Sequence, residues 1–246
     1  VDGCTDFVLG EPTLNNSEFI VDCLSKAADL AFTNSSCLVT GPLNKSIIQK
    51  HVQNFTGHTE FLKRKFNANE VLMYMTNGNL HLGILTTHIP LKEVPNAISK
   101  DLIKNKYKLL HNGLMDIFKL ASPKIAVLGI NPHAGEFGTI GNEEQNTILP
   151  AIDELRHEGY DAYGPVSADT VFTQTKYDAV LSMYHDQALP VLKTTDFNKT
   201  VNITLGLPFL RVSVDHGTAE DIAKSYSANY ESMMEALLIS IARNEA

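Results

Sequence analysis

Three apolar runs in this 246-residue chain each give out at a histidine: Ile84-Leu85-Thr86-Thr87-His88, Val127-Leu128-Gly129-Ile130-Asn131-Pro132-His133, and Ala179 to Tyr184 followed by His185. The runs are short, and amphipathic stretches at helical spacing alternate with them. That alternation is the pattern of packed α/β layers. If the runs are strands of one sheet, three imidazoles lie near its carboxyl edge, where open α/β sheets hold their ligands. Three neutral imidazoles with coordination positions left open also present a divalent ion to a substrate. Taken singly, a histidine at a strand end is more often a hydrogen-bonded structural residue. Three in equivalent places favour the metal.

Composition narrows the partners. With 43% hydrophobic residues the chain can bury one large or two modest cores. A net charge of −8 gives no electrostatic reason to bind nucleic acid or an anionic membrane. An anionic substrate must then be held by local basic groups and backbone amides. Cys4, Cys23 and Cys37 are too few and too scattered for a disulfide framework, which suggests a reducing compartment. No run reaches the length of a membrane span and no signal-peptide pattern opens the chain, so a cytoplasmic protein is expected.

Residues 36–40 read as a strand stopped by Gly41-Pro42, and residues 71–75 and 80–86 as a strand pair joined at Asn77-Gly78-Asn79. The stripe Leu102, Ile103, Leu109, Leu110, Leu114, Ile117 and Phe118 predicts a helix capped by Ser99. Pro150 fits only a first turn, so the next helix is expected to start near Thr147. In the last helix, Tyr230, Met233, Met234, Leu237, Leu238 and Ile241 form a stripe that reads as core filling.

Four polar clusters interrupt this pattern. Asn131 to Gly141 is glycine-rich but matches neither a dinucleotide fingerprint nor a P-loop, and by glycine content alone is an ordinary connection. Tyr184-His185-Asp186-Gln187 follows a buried run, where each polar group needs a partner. In residues 54–61, Thr56 or Thr59 would cap a helix opening at Phe61-Leu62, with His58 and Thr59 at its positive end. Arg211 lies in an apolar stretch and needs an anion, either a protein carboxylate or a substrate group. Lys193 and Asn202 would add donors beside it.

Read together, these segments resemble the 4-hydroxythreonine-4-phosphate dehydrogenase family of pyridoxal phosphate biosynthesis. The resemblance is carried by Thr40-Gly41-Pro42-Leu43-Asn44-Lys45, Phe55 to Phe61, Thr86 to Leu91, Asn131 to Glu136, Ala168-Asp169-Thr170, Tyr184 to Lys193 and Val201 to Ala219. It implies an α/β protein with the isocitrate/isopropylmalate dehydrogenase-like fold, in two domains with a cleft between them. Residues 1–55 with 200–246 would form the cofactor side, and residues 56–199 the metal, substrate and dimer side. A homodimer is implied, with the partner completing the site.

Residue by residue, the resemblance puts metal ligands at His88, His133 and His185 and substrate contacts at His58, Thr59, Lys193, Asn202 and Arg211. Lys193 and Asp169 would be the catalytic pair. His216-Gly217-Thr218-Ala219 looks like the loop that related decarboxylating dehydrogenases set against the adenosine of their cofactor. The implied reaction is NAD-dependent oxidation of 4-phosphohydroxy-L-threonine with loss of carbon dioxide, leaving 3-amino-2-oxopropyl phosphate. NADP in place of NAD, and zinc, magnesium or cobalt as the ion, stay open.

Two departures accompany the match. Relatives open with a Gly/Pro-rich strand–turn–helix segment that is not found here, so a fragment or a truncated product is expected. Asn44 stands where many relatives have histidine. Three rival readings follow: a D-threonate or D-erythronate 4-phosphate dehydrogenase, a zinc hydrolase with Asp186 or Glu136 as base, and a truncated relative that binds without turnover.

Overall fold

The computed structural model describes residues 8–53 and 55–244. In chain order its elements begin with α1 (Ser17–Thr33), β1 (Leu38–Thr40), α2 (Lys45–His51), α3 (His58–Lys65), β2 (Leu72–Thr76) and β3 (His81–Thr86). Next come α4 (Val94–Ala97), α5 (Lys100–Phe118), β4 (Ile125–Leu128), α6 (Leu149–His157), β5 (Ala162–Val166) and β6 (Ala179–Tyr184). The chain then runs through α7 (His185–Thr195), β7 (Val201–Leu205), β8 (Arg211–Val214) and α8 (Glu231–Asn244). Among the described residues no helix is long and apolar enough to cross a membrane.

The chain divides into two compact units, Val1–Val71 with Val201–Ala246, and Leu72–Thr200. The first unit reaches past residue 55, the limit expected from sequence, because α3 belongs to its core: Leu62 is buried with Phe55, Ile48 and Leu38. Val21, Leu24, Ala28 and Ala31 complete that cluster from one face of α1, at the three- and four-residue spacing a helix requires. The ring of Phe66 meets Phe209 edge-on at 5.0 Å. In this unit β1 runs parallel to β8, and β8 antiparallel to β7.

The second unit carries strands in the order β2-β3-β6-β4-β5. The first pair is the expected antiparallel hairpin, and its turn is held by two side chains: Asn77 Oδ1 accepts from the amides of Asn79 and Leu80, and Thr76 Oγ1 from that of Gly78. The pairs β3–β6, β6–β4 and β4–β5 are parallel. The expected cap of α5 is present, with Ser99 Oγ accepting from Leu102 N at 3.2 Å. Ile103, Tyr107, Leu110 and Leu114 along its inner face are fully buried. Gly83 on β3 admits this helix, since a Cβ there would lie 2.9 Å from Leu110 and 3.1 Å from Leu181. Truncating such a leucine to alanine costs about 2–5 kcal/mol.

Pro150 does fall in the first turn of α6, but a five-residue π-helical segment, Glu144–Ile148, precedes it. The wider turn spares the hydrogen bond that proline cannot donate.

The last helix corrects the sequence expectation. Ser232, Ala236 and Ser240 are its buried residues, while Tyr230, Met234, Leu237, Leu238 and Ile241 are exposed. Small side chains at four-residue spacing let α8 lie close to its strands, with Ser232 Oγ accepting from Asp215 N and Ser240 O accepting from Cys37 Sγ. The apolar stripe is thereby turned outward.

Candidate active site

In the first unit, Arg211 opens β8 and is only 3% exposed. Its guanidinium donates to Thr40 Oγ1 at 2.8 and 3.2 Å and to Thr204 Oγ1 at 3.2 Å. Both threonines are buried, and Thr204 Oγ1 lies 3.5 Å from Thr59 Oγ1. Among the described residues no carboxylate hydrogen-bonds this cation; Glu60 acts on it only through its field. Burial pulls the Arg211 pKa down to about 10, a sign of how much the site resists an unpaired charge.

His58 and Thr59 open α3, three residues ahead of the expected start at Phe61, and neither threonine named from sequence caps it. The N-cap is Gly57, at φ 144°, with no side-chain cap bond. Lys45 and Glu60 close over the space a Cβ would fill, at 3.3 and 3.1 Å from it. Burial, then the Arg211 and Lys45 charges, lower the His58 pKa to about 3, so its imidazole is neutral at physiological pH. Asn202, on β7 two residues before Thr204, has a buried Oδ1 that accepts no hydrogen bond from the described residues. The unit therefore brings together a guanidinium, an ammonium, a helix amino terminus and hydroxyls, and Glu60 reaches the guanidinium through its field alone. That is an anion-binding arrangement. Thr40 and Thr204 were not singled out from sequence; the i, i+2 spacing of Asn202 and Thr204 on one strand face was the available signal.

In the second unit the carboxyl ends of β3, β6 and β4 lie side by side. His88 follows β3 by two residues, His185 opens α7 directly after β6, and His133 follows β4 by five. The edge is tied together by polar groups: Thr86 Oγ1 donates to Met183 O, and Gln187 accepts from Met183 N and donates to Gly129 O at 2.7 Å.

The rings of His88 and His185 have centroids 5.8 Å apart. A ligating nitrogen sits about 2.0–2.1 Å from zinc, so two rings on one ion have centroids roughly 5–6 Å apart. His185 Nδ1 is taken by Asp186 at 2.8 Å and His133 Nδ1 by Glu136 at 2.6 Å. That leaves Nε2 as the ligating nitrogen of each ring, the carboxylate–histidine arrangement that prepares imidazoles for a metal. The Glu136 bond also raises the His133 pKa. The donor chemistry fits a divalent ion. Among the described residues, however, no three His, Cys, Asp or Glu side chains stand close enough to enclose one, and His133 makes no ring contact with the other two.

His133 sits on an unusual turn. Residues 133–137 all have φ between 40° and 78°, and four of the five are not glycine. Left-handed backbone costs an L-residue roughly 1–2 kcal/mol, and such strain persists only where surroundings enforce it. Asp169 is exposed, and its carboxyl is held below the usual range first by Ser167 Oγ, at 2.5 Å, and only weakly by His133. Lys193 lies on α7 eight residues after His185, with its ammonium 5.8 Å from the Phe197 ring centroid.

The segment His216–Ala219 returns to the first unit. His216 Nδ1 contacts Gly217 O at 2.8 Å and Thr218 Oγ1 donates to Glu220 Oε1 at 2.8 Å. Thr218, Glu220 and Asn44 border a cavity of about 290 Å³.

The sequence matches the pyridoxal phosphate biosynthetic protein PdxA family over residues 2–240. The chain belongs to that family. It is 46% identical over 239 residues to a 4-hydroxythreonine-4-phosphate dehydrogenase of Serratia proteamaculans, covering 95% of this chain and 72% of the relative. The crystal structure of the Klebsiella pneumoniae 4-hydroxythreonine-4-phosphate dehydrogenase superimposes with a TM-score of 0.85 at 35% identity, over 95% of this chain and 73% of that one. The Burkholderia phymatum 4-hydroxythreonine-4-phosphate dehydrogenase gives 0.82 at 34% identity, over 97% and 73%. The PdxA chain thus has the α/β fold of these dehydrogenases, as its motifs predict.

Proposed function

We propose that this PdxA protein oxidises 4-phosphohydroxy-L-threonine with NAD and a divalent metal, releasing carbon dioxide and 3-amino-2-oxopropyl phosphate. One observation carries the reading: a buried arginine that hydrogen-bonds, among the described residues, only to threonine hydroxyls, beside a histidine held neutral. A buried charge without a hydrogen-bonded counter-ion is expensive, and a doubly anionic substrate supplies what is missing.

In this account Arg211, with Thr59 and His58, binds the substrate's phosphate and carboxylate. The neutral imidazole donates one N–H without repelling the guanidinium. Asn202 Oδ1 accepts from the substrate's amino or hydroxyl group. His88, His133 and His185 would hold the ion, and residues 216–219 would meet the adenosine of NAD. When bound, the ion supplies a Lewis acid and the nicotinamide a two-electron acceptor. Lys193 takes the hydroxyl proton as the carbinol carbon loses hydride, and after the carboxylate leaves as carbon dioxide it returns a proton to carbon. Asp169 orients the proton path. Among the described residues Cys23 and Cys37 form no disulfide, in keeping with the reducing cytoplasm of this account, and the working species is a homodimer.

A second reading, oxidation of D-threonate or D-erythronate 4-phosphate, uses the same anion site with a hydroxyl in place of the amino group. Turnover on the three phosphorylated acids separates them: the amino acid should give the highest kcat/KM. A preference for either sugar acid would overturn the substrate assignment, and activity without nicotinamide would overturn the dehydrogenase reading.

A further inference from the structure

The left-handed turn that carries His133 is built around a carboxylate with no role in the account so far. Glu144 is fully buried at the first residue of the π-helical segment. Its Oε1 accepts from Ile130 N at 2.8 Å and Asn131 N at 2.7 Å; its Oε2 accepts from Asn131 Nδ2 at 2.9 Å. The same Asn131 amide donates to Glu143 Oε2 at 2.8 Å. Among the described residues, all of Glu144's hydrogen-bond partners are therefore amide N–H groups, and neither lysine nor arginine is one of them.

The packing is as specific as the bonding. A Cβ on Gly135 would lie 2.5 Å from Glu144 Oε2, and one on Gly129 would lie 3.0 Å from Oε1 and 2.7 Å from Ala134 Cα. Both the entry to the turn, at residues 129–131, and its middle, at Gly135, are thus fitted to this one side chain. A buried carboxylate that only organises backbone is a costly way to fill space. It is an effective way to hold a strained loop in one conformation.

We infer that Glu144 is a positioning residue for His133: it locks the turn so that the imidazole stands at the carboxyl edge of β4 in a fixed orientation. The inference rests on reading His133 as a metal ligand. It predicts that Glu144 contributes to metal affinity through His133 and by no other route.

The test is a double-mutant cycle on the full chain, with cobalt(II) or zinc(II) alone as probe, in competition with a chromophoric chelator. Glu144→Gln keeps the shape but sets an NH2 group against that of Asn131. Affinity should fall 10- to 100-fold in Glu144→Gln, the range usual for outer partners of metal ligands. It should fall at least as far in His133→Ala, and no further in the double variant. Unchanged affinity in Glu144→Gln, or an equal loss with and without His133, overturns the inference while leaving His133 a ligand. Unchanged affinity in His133→Ala overturns the ligand reading itself, and the inference with it. Should Glu144→Gln not fold, Asn131→Ala removes one donor from the carboxylate and runs the same cycle, with the same outcomes decisive.

Discussion

Replacing Arg211 with methionine should leave the fold as stable as before while removing its affinity for anions. Burial lowers the guanidinium's pKa from 12.5 to about 10, and at 1.36 kcal/mol per unit the charged form costs the empty fold about 3 kcal/mol. Methionine of similar length deletes that cost and keeps the apolar packing. Against this, Thr40 and Thr204 lose their donor, at about 1 kcal/mol each for buried hydroxyls that keep some freedom to rotate. The balance is near zero or slightly favourable, so the midpoint of thermal unfolding should stay put or rise by up to about 4 °C. Binding should change far more. Removing one member of a desolvated charge pair costs about 2–5 kcal/mol, or roughly 30- to several-thousand-fold in affinity. Calorimetric titration with inorganic phosphate and with substrate, beside a thermal melt, reads both quantities. A variant that melts well below the parent, yet binds phosphate normally, would show that Arg211 is structural and that the anion site is elsewhere.

His185→Ala should abolish metal binding and turnover together while the melt stays close to the parent's, because the ring is partly exposed at the start of α7; retained metal affinity, read by chelator competition, would remove His185 from the site. His58 carries a pH signature. Its folded pKa, about 3, lies below the unfolded value of 6.5, so the unfolded chain takes up the proton first and stability is lost as pH falls from about 6.5 towards 3, levelling below that. Between pH 7 and pH 5 the loss from this residue is about 2 kcal/mol. His81, lowered to about 4 by burial, adds to it with the same sign. Urea denaturation of the parent and of His58→Gln should show a shallower pH dependence in the variant; parallel curves would contradict the buried neutral imidazole.

Much of this was legible in the sequence where local chemistry dictates local structure. Asn77 makes its turn, Ser99 its cap, and Pro150 its first helical turn, because each effect acts within three or four residues. The strand-end histidines could be placed at one sheet edge because parallel strands share a direction. Distance defeats the same reasoning. The stripe on α8 gives the period of a helix but not which side faces the sheet, and Ser232, Ala236 and Ser240 take the inner face because close approach to strands requires small side chains. Five successive left-handed residues at His133 are invisible to propensity, which assigns that conformation to one residue at a time. Nothing local to Glu144 signals its burial, which depends on the amides of Ile130 and Asn131, fourteen and thirteen residues earlier in the chain. The buried partners of Arg211, Thr40 and Thr204, likewise come from strands that only the fold brings together.

The most direct test supplies the purified protein with 4-phosphohydroxy-L-threonine and NAD, first after exhaustive chelation and then with divalent metal restored, while NADH and released carbon dioxide are followed together. One carbon dioxide should appear for each NADH, only when metal is present, and neither from Arg211→Met at low substrate. NADH formation that persists in the chelated protein, or carbon dioxide release uncoupled from NADH, would contradict the account.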